Sequence, residues 1–152
     1  MYFIPEIPVA PVIQLSPPTL TEASAEARVR STEDAWNSRD PEQIARFYTP
    51  DSLWRERAES FRGRREIRAF LKRKWQRELD FKLHMDLWSF TKSRIAVSFC
   101  YEWHDDSGNW FRTHGTELWH FCDRGRISQR IACMNDEPIH KHDRILKEIG
   151  YE

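Results

Sequence analysis

The stretch Arg94 to Phe121, RIAVSFCYEWHDDSGNWFRTHGTELWHF, constrains the chain most. Ile95, Val97, Phe99, Tyr101 and Trp103 alternate with Ala96, Ser98, Cys100, Glu102 and His104. That period of two is the signature of a strand. Asp105-Asp106-Ser107-Gly108-Asn109 has the composition of a tight turn. On the return arm from Trp110, Gly115, Glu117, Trp119 and Phe121 share one side. A carboxylate thus sits among aromatics in mid-sheet, which is unfavourable unless it is solvated, paired or used.

The remaining 124 residues of the 152 must serve this hairpin within one domain. Hydrophobic content of 39% and charged content of 32% describe a globular chain. Seven Trp and nine Phe predict a thick aromatic core, an aromatic-walled pocket or an interface. Net charge is zero, which argues against nucleic-acid binding. No apolar run reaches membrane length, so no membrane partner is expected. Cys100, Cys122 and Cys133 form neither a CxxC nor an even set. Reduced thiols in a cytoplasmic protein are the expectation, with no cysteine metal site. Residues 1–18 are apolar but broken by Pro5, Pro8, Pro11, Pro17 and Pro18, and read as an extended arm, loose or laid on a partner subunit, rather than a signal peptide.

Along the chain, Thr19-Leu20-Thr21-Glu22 has the form of a capping box and predicts a helix to about Trp36. Leu20, Ala25, Val29, Thr32 and Trp36 give it an apolar stripe. Asp40-Pro41 opens a second, short helix that Thr49-Pro50-Asp51 ends. Ser52 to Ala58 reads as a strand with Trp54 and Glu56 on one face. Gly63 opens a third helix with the stripe Ile67, Phe70, Leu71, Lys74, Trp75 and Glu78. Its two charged members predict one wet edge, and its other side, Arg64, Arg65, Arg68, Lys72, Arg73 and Arg77, a solvated basic face. From Phe81 the period becomes two, and a last strand runs from Arg126 to about Asn135. His140 to Tyr151 reads as a possible tail helix. Helices first and long strands afterwards predict an α+β fold: a curved antiparallel sheet half-closed by helices, a cone whose mouth suits a ligand.

AWNSRDPEQIARFYTPDSLW, then FRGRREIRAFL, then the hairpin ending ELWHFCDRGRI resemble, in order and spacing, the nuclear transport factor 2-like superfamily. Within it the chain is similar to the SnoaL-like branch and to a group carrying YEWHDDSG and a closing strand like IACMND. The similarity spans roughly Thr19 to Ile139, giving an arm 1–18, a domain 19–139 and a tail 140–152. It implies a cone-shaped barrel and a homodimer. The superfamily holds isomerases, cyclases, dehydratases, epoxide hydrolases and non-catalytic binders, so fold alone does not assign function. Against the ketosteroid isomerase branch, the catalytic-base position falls on Glu56 and the oxyanion-hole acid on Glu117. The pocket-lining positions fall on Val97, Phe99 and Tyr101, and on Arg130, Ala132 and Met134. The oxyanion tyrosine falls on Thr32, which cannot replace a phenol, and Arg130 puts a cation where that enzyme has an apolar wall. Asp136 lies near the acid–base aspartate of SnoaL-like cyclases, just beyond the predicted last strand.

The candidate catalytic set is therefore Glu56, Glu117, Arg130 and Tyr101. Trp54, Trp103 and Trp119 join Val97, Phe99, Ala132, Met134 and Asp136 as ligand-binding candidates. Two carboxylates in one aromatic cavity have environments that can separate their roles as base and donor. Their alternative is a structural salt-bridge set with Arg130 and Arg57. His104-Asp105-Asp106 reads as turn structure rather than a metal cluster, and no cofactor or phosphate-loop motif stands out. Two functions remain: a cofactor-independent isomerase, cyclase or dehydratase acting on a small, largely apolar molecule, or a non-catalytic ligand-binding or interaction domain. An enzyme should show an open cavity reaching Glu56 and Glu117. A binder or relic should show paired charges and a cavity filled by side chains.

Overall fold

A computed structural model describes residues 19–146; the arm 1–18 and the tail 147–152 lie outside the described residues, and with them the expectation for the arm and the last part of the expected tail helix, whose described part, residues 140–146, holds a 3-10 turn and no α-helix. The elements are α1 (Glu22–Asn37), α2 (Pro41–Ala45), β1 (Tyr48–Glu56), β2 (Glu59–Arg62), α3 (Arg64–Arg77), β3 (Leu79–Phe90), β4 (Arg94–His104), β5 (Trp110–Phe121) and β6 (Ile127–Ile139). A single 3-10 turn, Lys141–Asp143, follows. One sheet runs in the order β2-β1-β6-β5-β4-β3. It is curved and unclosed, with α1 packed on β3 and α3 on β1, so the expected α+β cone is the fold. Every pairing is antiparallel except β1 with β6, which is parallel.

Several boundaries differ from expectation, each for a local reason. The cap of α1 is Thr21, not Thr19. Ser24 N–H donates to Thr21 Oγ1 at 3.1 Å and Thr21 N–H donates to Ser24 Oγ at 2.8 Å, so a serine completes the reciprocal box expected of Glu22. Thr49-Pro50-Asp51 does not end a helix; it lies inside β1, where the register against β6 shifts between Tyr48 and Leu53. Proline is tolerated in a strand at such an irregularity. β2 went unpredicted because Glu59-Ser60-Phe61-Arg62 has no apolar alternation, and it forms by pairing with β1 across the Arg57-Ala58 turn. β6 runs on to Ile139, so Asp136 lies within the strand, opposite Thr113, rather than beyond its end.

The hairpin β4–β5 fixes the register of the centre. Phe99 pairs with Gly115, and Gly115 pairs in turn with Met134. A Cβ built at Gly115 would collide with Cys133 O and lie 2.5 Å from Phe99 Cζ. The missing side chain is what lets the Phe99 ring lie across β5 inside the cone. Gly115→Ala is expected to destabilise the protein by about 1–3 kcal/mol, as overpacking does. Urea unfolding checks this, and an unchanged midpoint contradicts the packing described.

Candidate functional site

Two rows of side chains cross the inner face where β1, β6 and β5 meet. Trp54 on β1 is opposite Arg130 on β6, which is opposite Trp119 on β5. One step along, Glu56 is opposite Ala132, which is opposite Glu117. Alternation puts both rows on the same face. Ala132 is small, so the two carboxylates flank an open middle, and the long Arg130 side chain reaches from the neighbouring row to bridge them. Its Nε donates to Glu117 Oε1 at 2.7 Å, and its Nη2 donates to Glu117 Oε2 and Glu56 Oε1, both at 3.0 Å. Trp119 Nε1 also donates to Glu117 Oε1 at 2.9 Å. The guanidinium carbon lies 4.3 Å from the Trp54 ring centroid and 4.9 Å from that of Trp36. Exposure is 4% for Glu56, 3% for Glu117 and 1% for Arg130, so water screens none of these contacts.

Burial alone would lower the pKa of Arg130, but Glu117 and Glu56 more than offset it and hold the guanidinium charged. Arg130 Nη1 and Trp54 Nε1 are buried without a hydrogen-bond partner among the described residues. An unmet buried donor costs about 1–3 kcal/mol. Arg57, an expected structural partner of Glu56, pairs with Asp136 at 2.8 Å instead.

Sequence reasoning missed a second charged group in the cone. Lys74 Nζ donates to Glu78 Oε1 at 2.9 Å, to Oε2 at 3.0 Å and to Tyr101 Oη at 3.2 Å. Lys74 is 3% exposed and Glu78 4%. The expectation of a wet edge on α3 is therefore corrected: both members of that edge turn inward and satisfy each other. The signal was present, since Lys74 and Glu78 are spaced i,i+4 within an apolar stripe. Burial opposes the charge on Lys74, yet Tyr101, Glu78 and Glu56 raise its pKa. Burial raises the phenol pKa of Tyr101, partly countered by Lys74.

An internal cavity of about 10 Å³ is lined by Glu56, Glu117, Arg130, Tyr101, Phe99 and Met134, with Trp36, Lys74, Phe81 and Leu83. That is room for about one water. The other candidates fall elsewhere. Trp54 lies under the guanidinium, while Trp119 orients Glu117. Val97 and Ala132 are packed core beside the site. Trp103 donates from Nε1 to Thr113 Oγ1 at 3.0 Å and stacks on Phe111, away from this cavity. Asp136 accepts from Thr113 Oγ1 at 2.6 Å and from Arg57 Nη2 at 2.8 Å. Those hydrogen bonds lower its pKa against the opposing effect of burial.

Asp105-Asp106 belongs to the turn, as expected, while His104 is the last residue of β4. The Asp105 carboxylate accepts from Ser107 N at 3.0 Å and Asn109 N at 2.9 Å. On the sheet's outer face, Glu102 is buried against Arg112 at 2.9 Å and accepts the backbone N–H of Leu146 at 2.7 Å. It pins the start of the tail and is remote from the cone. No cluster of metal-binding side chains occurs among the described residues, and no described helix is long and apolar enough to cross a membrane.

Removing one member of a buried ion set strands the rest. Glu117→Ala is expected to lower unfolding stability by about 3–5 kcal/mol, read from urea melts. A loss under about 1 kcal/mol, the range of exposed pairs, contradicts the burial described. The His104–Asp80 pair gives a pH dependence. Slight burial works against protonated His104, but its bonds to Asp105 O and Asp80 raise its pKa above 6.5. The native state then binds the proton more tightly than the unfolded chain. This stabilisation is full below about pH 6.5 and is lost as pH rises through the higher folded value. His104→Gln is expected to remove that component from stability measured across pH 5 to 9, and an unchanged profile contradicts it.

The sequence profile of a family described as protein of unknown function (DUF1348) matches residues 17–147. No curated protein matches. Among solved structures, the epoxide hydrolase/cyclase-like enzyme SalBIII, described in pyran ring formation in the polyether salinomycin, aligns with a TM-score of 0.66 and 13% identity. That alignment covers 75% of this chain and 92% of SalBIII. An NTF2-like protein of unknown function from Burkholderia pseudomallei K96243 aligns with a TM-score of 0.66 and 18% identity, over 73% of this chain and 90% of the other. A protein described as a SnoaL-like polyketide cyclase, from Shewanella denitrificans OS-217, aligns with a TM-score of 0.63 and 17% identity, over 72% and 90%. At these identities the likeness is one of fold. The chain belongs to the DUF1348 family, and its fold is shared with NTF2-like and SnoaL-like proteins.

Proposed function

We propose that this protein binds a small, largely apolar molecule in the cone and moves a proton on it without a cofactor, as an isomerase, cyclase or dehydratase does. The observation that carries this is the Glu56–Arg130–Glu117 set, buried under two tryptophans and lining the cavity. Such a set contributes less to stability than well-packed apolar residues of the same volume. Its unmet Nη1 donor adds to the deficit, which a ligand oxygen would recover.

The geometry supports a division of roles. Glu117 accepts from both Arg130 and Trp119, so it positions the guanidinium. Glu56 accepts one hydrogen bond, from Arg130, and is the better placed base. Arg130 and the Tyr101 hydroxyl then stabilise negative charge developing on a carbonyl or hydroxyl oxygen of the ligand. Glu117 thus moves from the donor role expected of it to an orienting one. The likeness to SalBIII supports a fold suited to this chemistry and does not by itself bring that enzyme's reaction here. A homodimer is part of the proposal. Leu118, 51% exposed on the outer sheet face, supports an interface there.

A second reading is favoured by the cavity itself. At about 10 Å³ and with its carboxylates paired, it has the filled form expected of a non-catalytic domain. Under the first reading this is a closed state, and Met134, half-buried and unbranched, is the side chain freest to move. Native mass spectrometry of the protein from its own host should show a retained small molecule. Glu56→Gln is expected to keep that ligand while lowering α-proton exchange on it in deuterated water by about 10²–10⁴-fold. Ligand binding and exchange unchanged in both Glu56→Gln and Glu117→Gln would falsify the first reading.

A further inference from the structure

The basic face of α3 is not absorbed by the chemistry above, and the structure divides it. Arg64 donates to Tyr48 O at 2.8 Å and Arg68 pairs with Glu42 at 2.7 Å, so these two tie helix to sheet and helix to helix. Arg73 and Arg77 are held differently. Arg73 is 3.7 Å from Glu59, both more than half exposed. Arg77 is 3.4 Å from Glu78, whose oxygens both already accept from Lys74. Contacts this long and exposed contribute little and exchange readily.

Arg73 and Arg77 lie one turn apart and, with Arg57 and Lys74, line a surface cleft of about 280 Å³ walled by Phe70. Glu56 and Lys74 line both this cleft and the inner cavity. We propose that the cleft is the mouth of the site and that Arg73 and Arg77 clamp the carboxylate of a small organic acid whose apolar body points toward Glu56. This rests on the proposed reading of the cone and names the class of its ligand.

The distribution of the charges, rather than their sum, favours a monoanion. The cations Arg57, Arg73, Lys74, Arg77 and Arg130 are matched by Glu56, Glu59, Glu78, Glu117 and Asp136 across the cleft and cavity. They are not evenly spread: the loosely paired arginines stand at the rim, and Glu56 and Glu117 lie inside. A carboxylate displaces the weak Arg73–Glu59 contact and gains charge-assisted bonds. A phosphate dianion would bring a second negative charge toward Glu56. Arg57, at the turn between β1 and β2, has φ +54°. That conformation is strained for a non-glycine residue, and the Arg57 side chain lines the cleft.

The test titrates the full chain with benzoate and, separately, with the neutral isostere benzamide, followed by amide NMR. Benzoate is expected to shift signals of residues 56–59 and 73–77 saturably, with benzamide about tenfold or more weaker. The variant R73Q/R77Q should lose about tenfold in benzoate affinity. The variant R65Q/K72Q, on the same helix but outside the cleft, should lose none. Equal response to both probes, benzoate binding unchanged in R73Q/R77Q, equal loss in R65Q/K72Q, or no response at the cleft overturns the proposal. Glu117→Gln separates the two readings, because it disables the inner set and should leave the benzoate response at the rim intact.

Discussion

Arg130 is the point around which the candidate site is arranged. Its guanidinium joins β1, β6 and β5 through side chains, gripping Glu117 and Glu56 while packed against two tryptophan rings. The strand junction is what makes this possible. The parallel pairing of β1 with β6 brings Glu56 level with Ala132, and the antiparallel pairing of β6 with β5 brings Glu117 level with the same residue. A larger side chain at Ala132 would fill the gap that the carboxylates leave. Charge, register and one small residue act together.

Around this set the cone is built by aromatic packing. Trp36 from α1 stacks on Trp54 from β1 with centroids 5.8 Å apart, and Phe70 from α3 meets the same ring edge-on at 5.9 Å. The helices thus cap the charged centre with rings, which excludes water and strengthens each electrostatic contact. Lys74 repeats the device nearer the mouth, 4.4 Å from the Tyr101 ring centroid and neutralised by Glu78. Two buried cations thus lie against aromatic rings, Lys74 with Glu78 and Arg130 with both Glu117 and Glu56.

Much of this was legible in the sequence. Alternation along Arg94–His104 and Trp110–Phe121 defines the faces and puts Glu117 on the same side as Trp119. The resemblance aligned Glu56 and Arg130 with the same cavity. Two things were not legible. The parallel β1–β6 register is set by residues more than 70 apart in sequence, and no local pattern encodes it. The burial of Lys74 and Glu78 broke the rule that charged residues in a stripe mark a wet edge, because each satisfies the other one helical turn away. The strands misjudged at their ends, β1 at Pro50 and β6 beyond Asn135, failed where pairing with a neighbour overrode a turn signal.

The central claim is that the Arg130 set serves a ligand rather than stability. Its most direct test replaces all three charges together, Glu56→Leu, Glu117→Leu and Arg130→Met, and compares unfolding free energy with the unaltered protein. An apolar replacement that strands no charge should leave stability equal or raise it by about 1–4 kcal/mol, while binding of the ligand retained from the host is lost. A triple variant that loses about 3 kcal/mol or more, or that keeps the ligand, contradicts the account.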